Sequence, residues 1–106
     1  MGWKLVRDHT ENTARGLGVS GTWRKAGPEE IVPALIAKLF EETGEFVQGA
    51  DVAELYDLLD VVQALRDRLD PAGGANISHA AKVAKLGGFA EGVMWHPIPG
   101  AREGTP

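Results

Sequence analysis

Hydrophobic side chains recur at helical spacing through the middle of the chain, and they predict two long helices. The first helix is expected from Pro28 to about Gln48, because a proline followed by acidic residues suits a first helical turn. Asp51 has the character of an N-cap, and the leucines and valines behind it predict a second helix to Leu69. A connection this short predicts an antiparallel pair. Because such a pair cannot bury both apolar faces alone, we expect a homo-oligomer, either a dimer or a tetramer.

The flanking segments have weaker patterns. Residues 3–7 are compatible with a short strand, and residues 12–27 with a loop that includes a single helical turn. A third helix is expected over about residues 77–86, because the double glycine that follows it would end it. Residues 89–98 are expected to be extended, and the tail over 99–106 to be frayed.

The pattern as a whole predicts an all-α fold. We expect a single domain over residues 1–106, built as an antiparallel helical bundle that is completed by oligomerisation. Short extended segments are expected at its N- and C-termini.

Four acidic residues occupy positions where the helical wheel places apolar side chains. On the first long helix, Glu42 falls in the middle of the apolar stripe, about 20° from Ile31, and Glu45 lies on its flank. On the second helix, Glu54 is central on the apolar face and Asp57 lies beside it. Each helix therefore presents an acidic pair, spaced three residues apart, towards a partner helix.

Carboxylates on a buried helical face are costly unless they are paired or bind a metal ion. Only Lys38 lies near the four acids, so the two helices supply too little positive charge. A divalent cation would supply the rest, and a site built from carboxylate oxygens favours Mg²⁺, or Mn²⁺, over zinc. The alternative is that each acidic pair is solvated, as such pairs on helices usually are.

Charge and composition narrow the classes of function. The net charge is −4 and the basic residues form no run, which argues against a nucleic-acid partner. An acidic protein can still bind a nucleotide when a divalent cation bridges the two. The chain has no cysteine, no apolar stretch long enough to cross a membrane and no apolar segment of a signal peptide near its start. We therefore expect a cytoplasmic protein without a membrane partner.

Two segments resemble a known family. Residues 38–46 read KLFEETGEF and residues 53–62 read AELYDLLDVV, which is similar to the all-α nucleotide pyrophosphohydrolases of the MazG type. The hallmark of that family is Glu-x-x-Glu, a short gap and Glu-x-x-Asp. Residues 4–8, KLVRD, and residues 87–93, GGFAEGV, resemble the phosphoribosyl-ATP pyrophosphohydrolase-like branch. The family hallmark is matched position for position by Glu42, Glu45, Glu54 and Asp57.

The resemblance implies an activity and a set of ligands. It implies hydrolysis of a nucleoside triphosphate or a related nucleotide between the α and β phosphates, giving the monophosphate and pyrophosphate. Glu42, Glu45 and Asp57 would hold one or two magnesium ions, and Glu54 would be a further ligand or orient the attacking water. The role of each individual acid stays open, and Asp60 is either a ligand of a second ion or a residue of the polar face.

The same resemblance and the helical spacing suggest residues that bind the substrate. Lys38 could reach the phosphates, or it could form an ion pair with Glu42 one turn away. The two lysines of the third helix could bind the leaving pyrophosphate or be solvated. The expected substrate-binding residues are Lys38, Arg7, Asp8, Lys82 and Lys85.

Two other interpretations remain. The chain could be a non-catalytic helical dimerisation module whose acids pair with basic residues across an interface. It could also be a MazG-like protein that acts on an unusual nucleotide in a biosynthetic pathway.

Overall fold

The computed structural model describes residues 2–100, and within them the chain forms helices and no strand. The all-α class is therefore confirmed. Residues 3–7 and 89–98 form no strand, since neither has a neighbouring strand with which to form a ladder. The expectation for the tail lies outside the described residues from position 101 onwards. The helices are α1 (Thr10–Gly16), α2 (Ile31–Gly49), α3 (Val52–Leu69) and α4 (Gly74–Leu86).

The hairpin of α2 and α3 is the framework of the molecule. The two helices pack against each other across a connection of two residues. The first, Ala50, adopts a left-handed conformation with φ 49°, and its N–H donates to the carbonyl of Phe46. The second, Asp51, is the N-cap of α3, and its side chain accepts a hydrogen bond of 2.7 Å from the N–H of Ala53. The predicted cap and both long helices are confirmed.

The predicted helix boundaries need correction at three places. The first long helix begins at Ile31 rather than Pro28, because residues 28–30 form a turn in which Glu30 bonds back to the N–H of Gly27. The last helix begins at Gly74, three residues early, after Gly73 in the left-handed region. The segment expected to be a loop contains α1, a short helix with little amphipathic pattern to reveal it.

The described residues fall into two compact units, one ending at Pro71 and the other beginning at Ala72. The first unit contains α1, α2 and α3, and the second contains α4. Buried side chains are few, and in the described part of the chain they come from the α2–α3 hairpin alone: Leu35, Val61 and Glu42. Nowhere in residues 2–100 is a helix both long enough and apolar enough to cross a membrane.

Candidate metal centre

The α2–α3 hairpin brings three of the four predicted acids together. Glu42 comes from the second half of α2, whereas Glu54 and Asp57 come from the first two turns of α3. One carboxylate oxygen of each residue lies within 4.8 Å of the oxygens of the other two. The acids meet because the short connection places the end of α2 against the start of α3. We call these three residues the acidic cluster.

The cluster contains carboxylate oxygens that are buried without a partner. Glu42 is only 7% exposed, although it carries a carboxylate. Its Oε2 atom and the Oε2 atom of Glu54 are both buried, and neither accepts a hydrogen bond from any residue between 2 and 100. Buried polar atoms nearly always have a partner, since leaving a charged one without is costly. The arrangement therefore calls for a positive group at this point.

Lys38 supplies part of that charge. Its Nζ atom lies 3.4 Å from Oε1 of Glu42 and 3.5 Å from Oε1 of Glu41. The side chain of Lys38 is only 18% exposed, so this ion pair is well shielded from solvent. Of the two predicted roles for Lys38, the ion pair with Glu42 is the one that the structure contains. It engages Oε1 and leaves Oε2 of Glu42 unpartnered.

Arg7 joins the N-terminal arm, which we define as residues 2–9, to α3. One terminal nitrogen donates to Oδ1 of Asp57 over 2.8 Å, and the other donates to Oδ2 of Asp60 over 2.9 Å. The hydrogen bond to Asp60 is the main reason that the pKa of Arg7 is raised, with smaller contributions from the charges of both carboxylates. Asp60 is thus held by an arginine and lies outside the acidic cluster.

Glu45, the fourth acid of the predicted pattern, is exposed and lies outside the acidic cluster. It stands one turn beyond Glu42 on the flank of the apolar stripe, as the helical wheel places it. Lys4 lies close enough for Glu45 and Glu42 to raise its pKa slightly. The main causes of that raised pKa are the hydrogen bond and charge of Glu41, whose carboxylate lies 2.8 Å from the Lys4 Nζ atom.

The remaining predicted substrate-binding residues lie in different places. Asp8 is exposed and lines a large cavity that also reaches Lys38 and Glu42. Lys82 and Lys85 are exposed on α4, in the second unit, and their role stays a prediction.

Sequence reasoning missed two contacts of this site. The salt bridge between Lys4 and Glu41 has no local signal, because the partners are far apart in the chain. The same holds for the hydrogen bonds from Arg7 to α3, which join residues 50 and 53 positions apart. Arg7 was expected to bind the nucleotide, but no pattern pointed to Asp57 as its partner.

Comparison of the chain with protein-family models, curated proteins and solved structures found no match. Inference about activity must therefore start from the residues and their geometry.

Proposed function

We propose that this protein is a magnesium-dependent nucleotide pyrophosphohydrolase that cleaves a nucleoside triphosphate, or a related nucleotide, between the α and β phosphates. The observation that carries the proposal is the pair of buried, unpartnered Oε2 atoms of Glu42 and Glu54 beside Asp57. The sequence pattern around them, which resembles that of MazG-type enzymes, supplies the choice of reaction. The related possibility of an unusual biosynthetic nucleotide falls within the same chemistry.

The donor set fits Mg²⁺, or Mn²⁺. Every ligand atom of the acidic cluster is a carboxylate oxygen, and hard divalent cations prefer oxygen. Three such oxygens within 4.8 Å of one another leave room in an octahedral shell for water and for substrate phosphates. A site of this kind holds a magnesium ion through few carboxylates and completes its shell with the substrate.

The residues of the chain would divide the work of the reaction. A bound divalent ion supplies positive charge to the phosphate oxygens and lowers the pKa of a coordinated water. Glu42, Glu54 and Asp57 hold that charge in place, and Lys38 fixes the Glu42 carboxylate through its Oε1 atom. Arg7 fixes Asp57 through Oδ1. Water adds to a phosphorus atom, the bridging α–β bond breaks, and a carboxylate accepts the proton released by the water.

Glu45 is free to act at the edge of this site. Its exposed position, one turn from Glu42, suits a residue that orients the attacking water or joins the shell of a second ion. The carboxylate of Asp60 is engaged by Arg7, so a role in a second metal site requires that hydrogen bond to open.

We also propose that the active form is a homo-oligomer in the cytoplasm. Both helices of the hairpin carry large apolar side chains that are mostly exposed, among them Phe40, Val47 and Tyr56. Contact with a second copy would cover them and would complete a bundle that the α2–α3 hairpin only begins.

The proposal is tested by measuring pyrophosphate release. Purified protein is incubated with Mg²⁺ and a panel of nucleoside triphosphates that includes phosphoribosyl-ATP. We expect turnover of at least one substrate, a loss of about a hundredfold or more for Glu42→Gln, and no change for Glu11→Gln, a surface acid paired with Arg15. Equal turnover by wild type and Glu42→Gln would overturn the proposed site. Absence of both turnover and Mn²⁺ binding would favour the non-catalytic dimerisation module.

A further inference from the structure

A cavity of about 1040 Å³ lies beside the acidic cluster, within the first unit. Lys38 and Glu42 form part of its lining, so the cavity opens directly onto the metal centre. The N-terminal arm, α1, α2 and α3 supply its other walls. Those walls are largely apolar, and their main side chains are Leu5, Leu17, Val19, Ile31, Leu35 and Val61.

One wall of the cavity is fixed by the way α1 ends. The N–H of Val19 donates to the carbonyl of Ala14 over 2.9 Å, and the N–H of Gly18 donates to that of Arg15 over 3.1 Å. Gly18 has φ +74°, so the pair of bonds forms a Schellman motif with glycine in the left-handed position. This motif turns the chain back over the end of α1, and it places Leu17 and Val19 on the cavity wall.

The exposure of these side chains indicates that the cavity is open to a ligand. Leu17 is 76% exposed and Val19 is 55% exposed, although both line a concave surface. Leu35 and Val61, on the same lining, are buried. Apolar walls with a few polar groups are the usual construction of a small-molecule site. A ligand in this cavity would cover apolar surface that the first unit leaves exposed.

Polar groups are concentrated where the cavity meets the metal centre and α1. Lys38 and Glu42 lie at the first place, and the hydroxyl-bearing Thr10 and Thr13 at the second. The hydroxyl of Thr13 already donates to the carbonyl of His9 over 3.1 Å. A ligand that fits both regions has an apolar body and a strongly charged end, as a nucleotide has.

We propose that this cavity binds the nucleoside part of the substrate and prefers a large base. The inference rests on the proposed function, since the phosphates would lie at the acidic cluster. Ligand cavities usually measure about 300–1000 Å³, so this one is large enough for a purine and its ribose. Recognition by apolar walls selects for the size of the ring more than for its hydrogen-bonding edge.

The test narrows the cavity from two sides. Ala14 on α1 and Ala64 on α3 both line it and are half-buried, whereas Ala37 on α2 is exposed and does not line it. We would compare Ala14→Phe, Ala64→Phe and the control Ala37→Phe, each checked for helical content. The probes are α,β-methylene-ATP and α,β-methylene-CTP with Mg²⁺, measured by calorimetry. Mn²⁺ binding is measured separately by electron paramagnetic resonance.

The expected result separates the cavity from the metal centre. Either cavity variant should bind the ATP analogue about tenfold more weakly, because its new ring occupies the base site, and should bind Mn²⁺ as the wild type does. The wild type should prefer the ATP analogue over the CTP analogue by about fivefold. Unchanged nucleotide binding in both cavity variants, or equal binding of the two analogues, would overturn the inference while leaving the proposed function intact.

A different result would address the proposed function alone. If the wild type binds no Mn²⁺, that proposal fails, and adenosine in the absence of metal becomes the probe of the cavity. Adenosine binding that is lost in Ala14→Phe would then still support a nucleoside site, and no adenosine binding to the wild type would overturn it.

Discussion

Arg7 donates a hydrogen bond of 2.8 Å to Asp57, a residue 50 positions away that also belongs to the acidic cluster. One carboxylate thus faces two groups: an arginine of the N-terminal arm and the candidate metal site. The arm has no regular secondary structure, and this contact ties it to α3. The Arg7 contact therefore couples the position of the arm to the geometry of a candidate metal ligand.

Replacing Arg7 should weaken metal binding. We expect Arg7→Gln to raise the Kd for Mn²⁺ about tenfold, since outer hydrogen bonds that orient a metal ligand are typically worth that much. The loss of its positive charge acts in the opposite direction, but the side chain is 61% exposed and solvent screens that effect. Arg7→Lys, which keeps the charge and loses the fork, should fall between the two. Tighter Mn²⁺ binding by Arg7→Gln would show that Arg7 acts as a competing charge.

Glu42→Gln should separate the stability of the metal-free protein from its response to metal. Without metal, the variant should unfold with a free energy equal to or above that of the wild type, because the substitution removes the charge from a buried, unpartnered oxygen. With Mg²⁺ at a hundred times its Kd, the wild type should gain about 2.7 kcal/mol and the variant nothing. Urea unfolding with and without Mg²⁺ measures both, with Glu11→Gln as the control. A magnesium response that survives in Glu42→Gln would contradict the assignment of the site.

The parts of the fold that the sequence predicts are those with local causes. The hairpin was predictable because the apolar spacing, the N-cap Asp51 and the short connection all lie close together in the chain. The convergence of Glu42 with Glu54 and Asp57 followed from their phases on two wheels. The wheel also placed Glu45 on the flank, yet the family pattern grouped it with the others.

The unpredicted features depend on distant contacts or on short elements. Helix α1 has seven residues and no apolar stripe, so its stability comes from its Schellman ending and its surroundings. The fork from Arg7 to α3 depends on where the arm lies in the folded chain. No spacing rule reports such a contact.

Ala50→Gly should stabilise the protein. Ala50 ends α2 with φ 49°, a left-handed conformation that costs a residue with a Cβ atom roughly 1 kcal/mol and costs glycine almost nothing. We expect the free energy of unfolding to rise by about 0.5–1 kcal/mol, less a small loss from the more flexible unfolded chain. Ala37→Gly, in the middle of the same helix, is the matched control and should lower it by about 1 kcal/mol. A lower stability for Ala50→Gly would mean that the Ala50 methyl group contributes through packing.

Glu30 should make the stability of the protein sensitive to acid. Both of its carboxylate oxygens accept hydrogen bonds from Arg24, over 2.9 and 2.8 Å, and Oε1 also accepts one from the N–H of Gly27. The bond with Arg24 is the largest cause of a pKa that falls from its usual 4.5 to about 2. Because the pKa is lower in the folded state, the contribution of Glu30 is complete above about pH 4.5 and is lost as the pH falls towards about 2.

Glu30→Gln should therefore flatten the dependence of stability on pH within that window, whereas Glu29→Gln, its exposed neighbour, should leave it as in the wild type. Urea unfolding at several pH values between 2 and 6 measures the slope for all three proteins. The guanidinium of Arg24 also lies 4.6 Å from the centre of the Trp3 ring, so the fluorescence of the arm reports on the same contact. If Glu30→Gln kept the slope of the wild type, the carboxylate would not be held by Arg24 in solution. The acid sensitivity would then belong to another ion pair of the first unit, such as that of Glu41 with Lys4, whose hydrogen bond also lowers the pKa of the glutamate.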